Sequence, residues 1–146
     1  MKSRGLIVAL FLMYTLLFWA ACSKQEESRQ GNVMVNILPQ GKWIITKFSE
    51  KGHDETNHFN GYIFKFNQNG RLMVSIPGSI APTDIEGSWV ELESNKFVIN
   101  LGQKDQTNKP LGGLSDDWII VAKSAKRFSL KDDTGTRNEV VEFSMN

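Results

Sequence analysis

Short apolar stretches separated by turn residues recur from Gly41 to the end of the chain, and no long stretch has a helical period. In several of them apolar and polar residues alternate, as they do in strands with one buried face. Asn69-Gly70 is a strong hairpin signal between two such stretches. We predict eight strands, at 43–48, 59–66, 71–76, 85–92, 96–101, 118–123, 127–131 and 139–144. The pattern therefore predicts an all-β domain over residues 41–146.

The connections between the predicted strands are mostly short, which favours an antiparallel meander. Closing a meander into a barrel removes the unpaired sheet edges. We therefore predict an antiparallel eight-stranded up-and-down barrel, and a β-sandwich is the alternative that the strand spacing also allows. Two longer connections interrupt the series, a loop at 77–83 that contains Pro77, Gly78 and Pro82, and a polar loop at 102–116.

Residues 1–21 have the pattern of a secretory signal peptide. Lys2 and Arg4 precede an uncharged, mostly apolar segment from Gly5 to Ala21. This segment is shorter than the roughly 20 apolar residues that a membrane-spanning helix needs. We expect removal of the segment on export, and an uncleaved N-terminal anchor is the alternative.

Cys22 is the only cysteine of the chain and follows Ala20-Ala21 directly. This arrangement resembles the lipobox of bacterial lipoproteins, although Trp19 stands where that family usually has Leu. The resemblance implies cleavage before Cys22, lipid modification of its thiol and, because Ser23 follows instead of Asp, sorting to the outer membrane. A lone cysteine also excludes an internal disulfide.

Residues 22–40 form the predicted connection between this anchor and the barrel. The composition of 23–32 is typical of a flexible tether, and an extended chain from 23 to 40 would span up to about 60 Å. The run Lys24–Glu27 resembles a lipoprotein export patch, and a plain linker is an equal alternative. The apolar group between Val33 and Leu38 is expected to pack on the domain as a plug or a short turn of helix.

The charge balance excludes a strongly basic nucleic-acid-binding protein. The whole chain carries a net charge of +1, and removal of Lys2 and Arg4 with the signal brings it to −1. Nothing in this overall balance favours capture of nucleic acid or of an anionic membrane surface.

Several clusters of polar residues are candidates for a metal or catalytic site, and each has a simpler structural interpretation. His53–His58 holds both histidines but lacks the His-Glu-x-x-His spacing of a zinc helix, and a solvated hairpin tip is the better interpretation. Asp132–Gly135 fits a hairpin turn better than a calcium loop. Asp116-Asp117 is typical of the start of a strand. Glu91 and Glu93 are expected to lie on the solvent-exposed outer face of the barrel. We therefore predict no enzyme, no metal and no cofactor.

The start of the first strand, Gly41-Lys42-Trp43, is similar to the Gly-x-Trp start of lipocalins. Four further segments strengthen a likeness to the lipocalin-like domains of small bacterial lipoproteins: 62–66 with Asn69-Gly70, 87–89, 114–118 and 128–132. The resemblance covers residues 41–146 and implies a small calycin-type β-barrel. The chain is shorter than a typical lipocalin and has no long C-terminal helical pattern.

Aromatic residues are the remaining candidates for a binding site, since an eight-stranded barrel can hold one small ligand or be filled by side chains. The ligand-binding candidates are Trp43, Tyr62, Phe64, Trp89 and Trp118. Two functions remain open. One is a lipid-anchored barrel that binds a small apolar molecule in the cell envelope. The other is an interaction module, an inhibitor or accessory subunit of an envelope complex, with a solid core and contacts through the loops at 77–83 and 102–116.

Overall fold

The computed structural model describes residues 33–78, 84–93 and 95–146. The predicted signal peptide, Cys22, the polar part of the tether and most of the loop at 77–83 lie outside the described residues.

Nine strands and one short α-helix make up the described chain, with 3₁₀ turns between them. The helix α1 is Val33–Ile37 and continues into a 3₁₀ turn at Leu38–Gln40. The strands are β1 (Trp43–Glu50), β2 (His53–Asp54), β3 (Ile63–Phe66), β4 (Arg71–Ser75), β5 (Asp84–Glu91), β6 (Lys96–Asn100), β7 (Asp116–Lys123), β8 (Arg127–Asp132) and β9 (Val140–Met145).

All strand pairs are antiparallel, and each long strand pairs with its neighbours in the chain. The first and last long strands close the sheet, because β1 pairs with β9 from Trp43 opposite Met145 to Ser49 opposite Val140. The eight long strands therefore form a closed up-and-down barrel, which confirms the predicted fold over the sandwich. The two-residue strand β2 folds back on the end of β1 as a small hairpin.

Two predicted element boundaries are wrong. The strand predicted at 59–66 begins only at Ile63, because residues 56–59 form a 3₁₀ turn and Gly61 adopts a left-handed φ of 82°. Phe59 is nevertheless buried, which explains its apolar signal. The polar loop predicted at 102–116 contains 3₁₀ turns at Gln106–Asn108 and Leu111–Leu114, and its end belongs to β7.

Side chains from every long strand fill the interior of the barrel. Phe66 lies at the centre of an aromatic cluster, with ring centroids 5.7 Å from Trp89, 5.9 Å from Phe128 and 5.8 Å from Phe143. The rings of Phe128 and Phe143 stack with centroids 4.5 Å apart. Such contacts add about 0.5–1.5 kcal/mol per pair to the burial of apolar area. The interior is thus a packed hydrophobic core, as eight-stranded barrels allow.

Each end of the barrel is covered by a different segment. We call the end at which β1 begins the plug rim, because α1 and its 3₁₀ turn cover it with the fully buried Met34 and Leu38. We call the opposite end the loop rim. Phe59, Leu111 and Leu114 are buried there under the β2–β3 and β6–β7 connections.

Candidate functional site

Four of the five candidate ligand-binding residues are part of the packed core. Trp43, Phe64 and Trp118 are fully buried, and Trp89 is 4% exposed. Only Tyr62 is partly exposed, and its ring lies 6.1 Å from that of Phe59 at the loop rim. The structure therefore brings four of these side chains together as core residues and leaves Tyr62 at the edge of the cluster.

Among the described residues there are three tryptophans, and the indole N–H group of each donates to a backbone carbonyl. Trp43 Nε1 donates to the Leu38 oxygen at 2.9 Å and Trp118 Nε1 to the Leu114 oxygen at 3.0 Å. Trp89 Nε1 donates to the Asn67 oxygen at 3.0 Å. Each indole N–H group therefore has a backbone acceptor at an end of the barrel, and none of the three is left free to bind a ligand.

Two open depressions lie on the outer wall of the barrel. The larger, of about 740 Å³, lies over β8, β9 and β1, and Lys47, Arg127 and Glu142 are among its lining residues. The smaller, of about 440 Å³, lies over β3 and β4 and includes Lys42, Lys65 and Arg71. Both are open surface grooves of mixed polar and apolar lining, and the core residues Phe128 and Phe143 contribute to the larger one.

A network of ion pairs lies at the loop rim, and the sequence analysis did not predict it. Arg137 pairs with Asp116 and, at 3.1 Å, with Asp132. Lys104 lies 3.5 Å from Asp116 and 3.2 Å from the buried Glu139. The network joins the β6–β7 loop, the start of β7 and the β8–β9 turn, so it holds the loops of this end together.

Two acids of the network, Asp132 and Asp116, have lowered pKa values despite their burial. Burial acts to raise the pKa of Asp132, but hydrogen bonds from Thr134 and Arg137, together with the guanidinium charge, hold it well below its usual range. The pKa of Asp116 is lowered because hydrogen bonds from Arg137 and Asp117 outweigh its burial. The pKa of Arg137 is raised, chiefly by its hydrogen bond to Asp116. These ionised pairs hold the loops of this end together, which is a structural role.

A third buried acid, Glu91, lies at the plug rim. Glu91 is 7% exposed, and its Oε2 accepts a 2.8 Å hydrogen bond from the Met34 N–H at the start of α1. Its Oε1 lies 3.6 Å from Lys123 Nζ. The prediction that Glu91 and Glu93 share a wet outer face is wrong, because Glu91 faces inward and Glu93 lies beyond the end of β5. Glu91 lies two residues after the buried Trp89, and residues two apart in a strand share a face, so the sequence already indicated an inward direction for Glu91.

The remaining polar clusters lie at exposed turns. His53 and Asp54 are exposed in β2, and His58 Nδ1 lies 3.0 Å from Glu55. Asp132 accepts hydrogen bonds from Thr134 inside its own turn, where Gly135 is left-handed with φ 66°. No group of three metal-binding side chains occurs within residues 33–78, 84–93 and 95–146. In the same ranges, no helix has the length and apolar character needed to cross a membrane.

Two solved structures have a similar fold. One is a DUF4847 family protein from Bacteroides vulgatus ATCC 8482, with a TM-score of 0.55 and 15% identity over 77% of this chain and 97% of that chain. The other is an uncharacterized protein from Bacteroides eggerthii DSM 20697, with a TM-score of 0.53 and 13% identity over 73% of this chain and 98% of that chain. At such identities the likeness shows the barrel fold alone, which is compatible with a calycin-type barrel.

No protein-family model matches the sequence, and no curated protein is similar to it.

Proposed function

We propose that this chain is a lipid-anchored lipoprotein of the cell outer membrane whose barrel is an interaction module. In this proposal Cys22 carries the lipid, and the barrel acts on a protein of the envelope as an inhibitor or accessory subunit. The barrel is neither a container for a small apolar ligand nor an enzyme.

The filled interior is the observation that carries the choice between the two functions. Phe66, Phe128 and Phe143 occupy the centre, and Trp43 and Trp118 are buried beside them. Met34 and Leu38 cover one end, and Leu111 and Leu114 cover the other. A small-molecule site needs a concave space of about 300–1,000 Å³ that encloses the ligand. The enclosed volume is instead taken by side chains, which supports a function of the outer surface.

The loop rim supplies the surface for such contacts. The β6–β7 connection is fixed by Leu111 and Leu114 from below and by the Lys104–Glu139 pair from the side. Its outer residues, including Gln106 and Lys109, remain exposed. A rigid scaffold that presents an ordered loop is a common arrangement for recognition, because little conformational entropy is lost on binding.

The lipid anchor can be tested with a Cys22→Ser variant. The proposal expects the parent chain to enter the detergent phase, with an N-terminal peptide that begins at an acylated Cys22. The variant should accumulate with residues 1–21 attached. Ser23→Ala, which changes the next residue and leaves the thiol, is the matched control and should be processed normally. A Cys22→Ser chain that is still cut after Ala21 and stays in the membrane would contradict the lipid anchor.

The solid core can be tested with an apolar fluorescent probe such as a labelled fatty acid. We expect no saturable binding of the fatty acid by the parent chain. Phe66→Ala opens a cavity of about the size of a benzene ring at the centre of the cluster, so we expect it to bind benzene where the parent chain does not. Lys65→Ala, on the outer wall one residue away, should behave like the parent. Saturable binding by the parent chain, displaced by unlabelled fatty acid, would instead support the ligand-binding function.

The interaction surface can be tested with a photo-crosslinking residue in the intact envelope. A discrete adduct is expected from Gln106 at the loop rim and none from Lys131 on the outer wall. Equal adducts from both positions, or none from Gln106 and the other exposed loop-rim positions, would contradict an interaction through this end.

A further inference from the structure

The two rims of the barrel carry opposite charges. The eight strand ends at the plug rim include four bases and one acid: Arg71, Lys96, Lys123, Arg127 and the buried Glu91. The eight strand ends at the loop rim include four acids and no base: Glu50, Asp84, Asp116 and Asp132. The connections of the loop rim add Lys104 and Arg137, which pair with Asp116 and Asp132. Lys96 of the plug rim pairs with Asp133. Many of these charges are therefore compensated in ion pairs, and the separation of charge that remains is carried by the unpaired groups.

Three bases of the plug rim have no acidic partner among the described residues. Lys42, Lys126 and Arg127 are exposed and form no ion pair there. They are neighbours, because the last residues of the chain connect them. Met145 N donates to the Lys126 oxygen at 2.9 Å, and Asn146 N donates to the Lys42 oxygen at 2.8 Å. We call Lys42, Lys126 and Arg127 the basic triad.

The tether reaches the barrel at the same rim. The described chain begins with α1, where Met34 N donates to Glu91 at the end of β5, and continues to Leu38, whose oxygen accepts from Trp43. Residues 33–40 are folded on the barrel, so only the ten residues 23–32 separate them from Cys22. Ten residues span at most about 36 Å. A lipid on Cys22 therefore keeps the plug rim near the bilayer.

We infer that the plug rim is the membrane-facing end of the barrel and that the basic triad rests on anionic phospholipid headgroups of the anchoring membrane. This inference rests on the lipid anchor of the proposed function. Exposed bases held near an anionic surface are attracted to it, and the attraction falls off within a Debye length. The acidic loop rim is repelled by the same surface and points away from it, towards a partner.

The test measures which rim touches the bilayer, using the acylated full chain in vesicles. In that chain the lipid blocks the only native thiol, so an added cysteine can be labelled alone. A fluorophore is placed at the plug rim through Ala125→Cys or at the loop rim through Gln106→Cys, and quenching by headgroup-labelled lipid is recorded. We expect at least twofold stronger quenching at residue 125 in vesicles with 30% phosphatidylglycerol, and a loss of that difference in pure phosphatidylcholine or in 0.5 M salt.

Charge reversal provides the matched comparison. Lys126→Glu with Arg127→Glu should abolish the preferential quenching at residue 125. Lys109→Glu with Lys131→Glu makes the same change in net charge at exposed positions away from the plug rim and should leave it unchanged. Equal quenching of both labels, or an equal effect of both double variants, would overturn the inference. Flotation of the same vesicles in 0.5 M salt, which screens the basic triad, reports the anchor separately, because the mature chain without a lipid would then not float.

Discussion

Buried acids are the residues that sequence analysis located least well. Glu91, Asp132 and Glu139 are all nearly inaccessible, and each is satisfied by an opposite charge or by backbone N–H groups. All three lie at barrel ends, where a covering segment is attached to the strands. Burying such groups is costly unless they are fully paired, so these contacts select one arrangement of the covering segments.

Asp132→Asn should reduce the stability of the barrel and change its response to acid. Replacing the carboxylate removes charge-assisted hydrogen bonds to Thr134 and Arg137, at a cost of about 2 kcal/mol near pH 7. The folded-state pKa of Asp132 lies below its ordinary value of 3.8, so its stabilisation is full above that value and is lost as the pH falls through the folded-state pKa. Urea unfolding between pH 2.5 and pH 7 measures this.

The variant should show a shallower loss of stability below pH 4 than the parent chain. Asp133→Asn is the matched control, because Asp133 lies on the outside of the same turn and pairs only with the exposed Lys96. Parallel acid curves for parent and Asp132→Asn would contradict a role of Asp132 in acid sensitivity.

Glu91→Ala should destabilise the chain by about 3 kcal/mol, because it leaves the Met34 N–H and the Lys123 ammonium without their buried partner. Glu93→Ala changes the same residue type two positions along, in an exposed turn, and should stay within about 0.5 kcal/mol of the parent. The comparison uses urea unfolding monitored by tryptophan fluorescence. Equal midpoints for the two variants would show that Glu91 does not hold the plug.

At the scale of elements, α1 is too short to be stable alone and depends on its contacts with the barrel. It has only five residues, yet Met34 is fully buried and its backbone N–H is held by Glu91. The helix is therefore better regarded as the cover of the plug rim than as an independent element.

Met34→Ala should loosen this cover, at a cost of about 2–5 kcal/mol for a fully buried side chain. The backbone N–H groups of residues 34–38 should then exchange with solvent faster than those of β8. Asn36→Ala, on the exposed side of the same helix, is the control and should leave exchange near the parent rate. Hydrogen exchange measured by mass spectrometry distinguishes the two, and unchanged exchange in Met34→Ala would contradict the role of Met34 as cover.

The strands were predictable because alternation and turn residues are local signals. Asn69-Gly70 and the alternation from Arg71 to Ser75 correctly predicted the hairpin of β3 and β4. Long-range packing was not visible in the same way. Phe59 has an apolar signal but lies in a 3₁₀ turn, and Leu111 and Leu114 are separated from the strands they cover by polar residues. Two of the four pairs in the ion network, Lys104–Glu139 and Arg137–Asp116, join residues more than twenty positions apart, so no local pattern predicts the whole network.

The candidate site was predicted as a set of rings that either fill a core or line a ligand cavity, and the structure shows the filled core. Composition identifies Trp43 and Trp118 as interior residues, whereas the filling of the interior depends on how Phe66, Phe128 and Phe143 pack in three dimensions. The separation of charge was accessible in principle, because alternate strand ends meet in an antiparallel meander. Assigning charges to the two rims requires correct strand boundaries, and the predicted start of β3 was four residues too early.

At the scale of the whole molecule, one core connects all the long strands, and the barrel should unfold in a single step. Trp43, Trp89 and Trp118 lie on β1, β5 and β7 and belong to the same buried cluster. We expect the urea transitions from tryptophan fluorescence and from far-ultraviolet circular dichroism to coincide. Transitions separated by more than the fitting error would show that part of the barrel unfolds independently.

The pairing of β1 with β9 also determines when the barrel can form during synthesis and export. Thr46 and Glu142, which are 96 positions apart, meet across this seam. A ribosome or a translocation channel releases the chain from its N-terminus, so β1 has to wait for the last long strand before its outer edge is paired. Until then β1 and β8 both expose unpaired backbone, which other chains can add to. A product that stops before Val140 keeps both edges open, so truncation should cause aggregation far more readily than substitutions within a closed barrel.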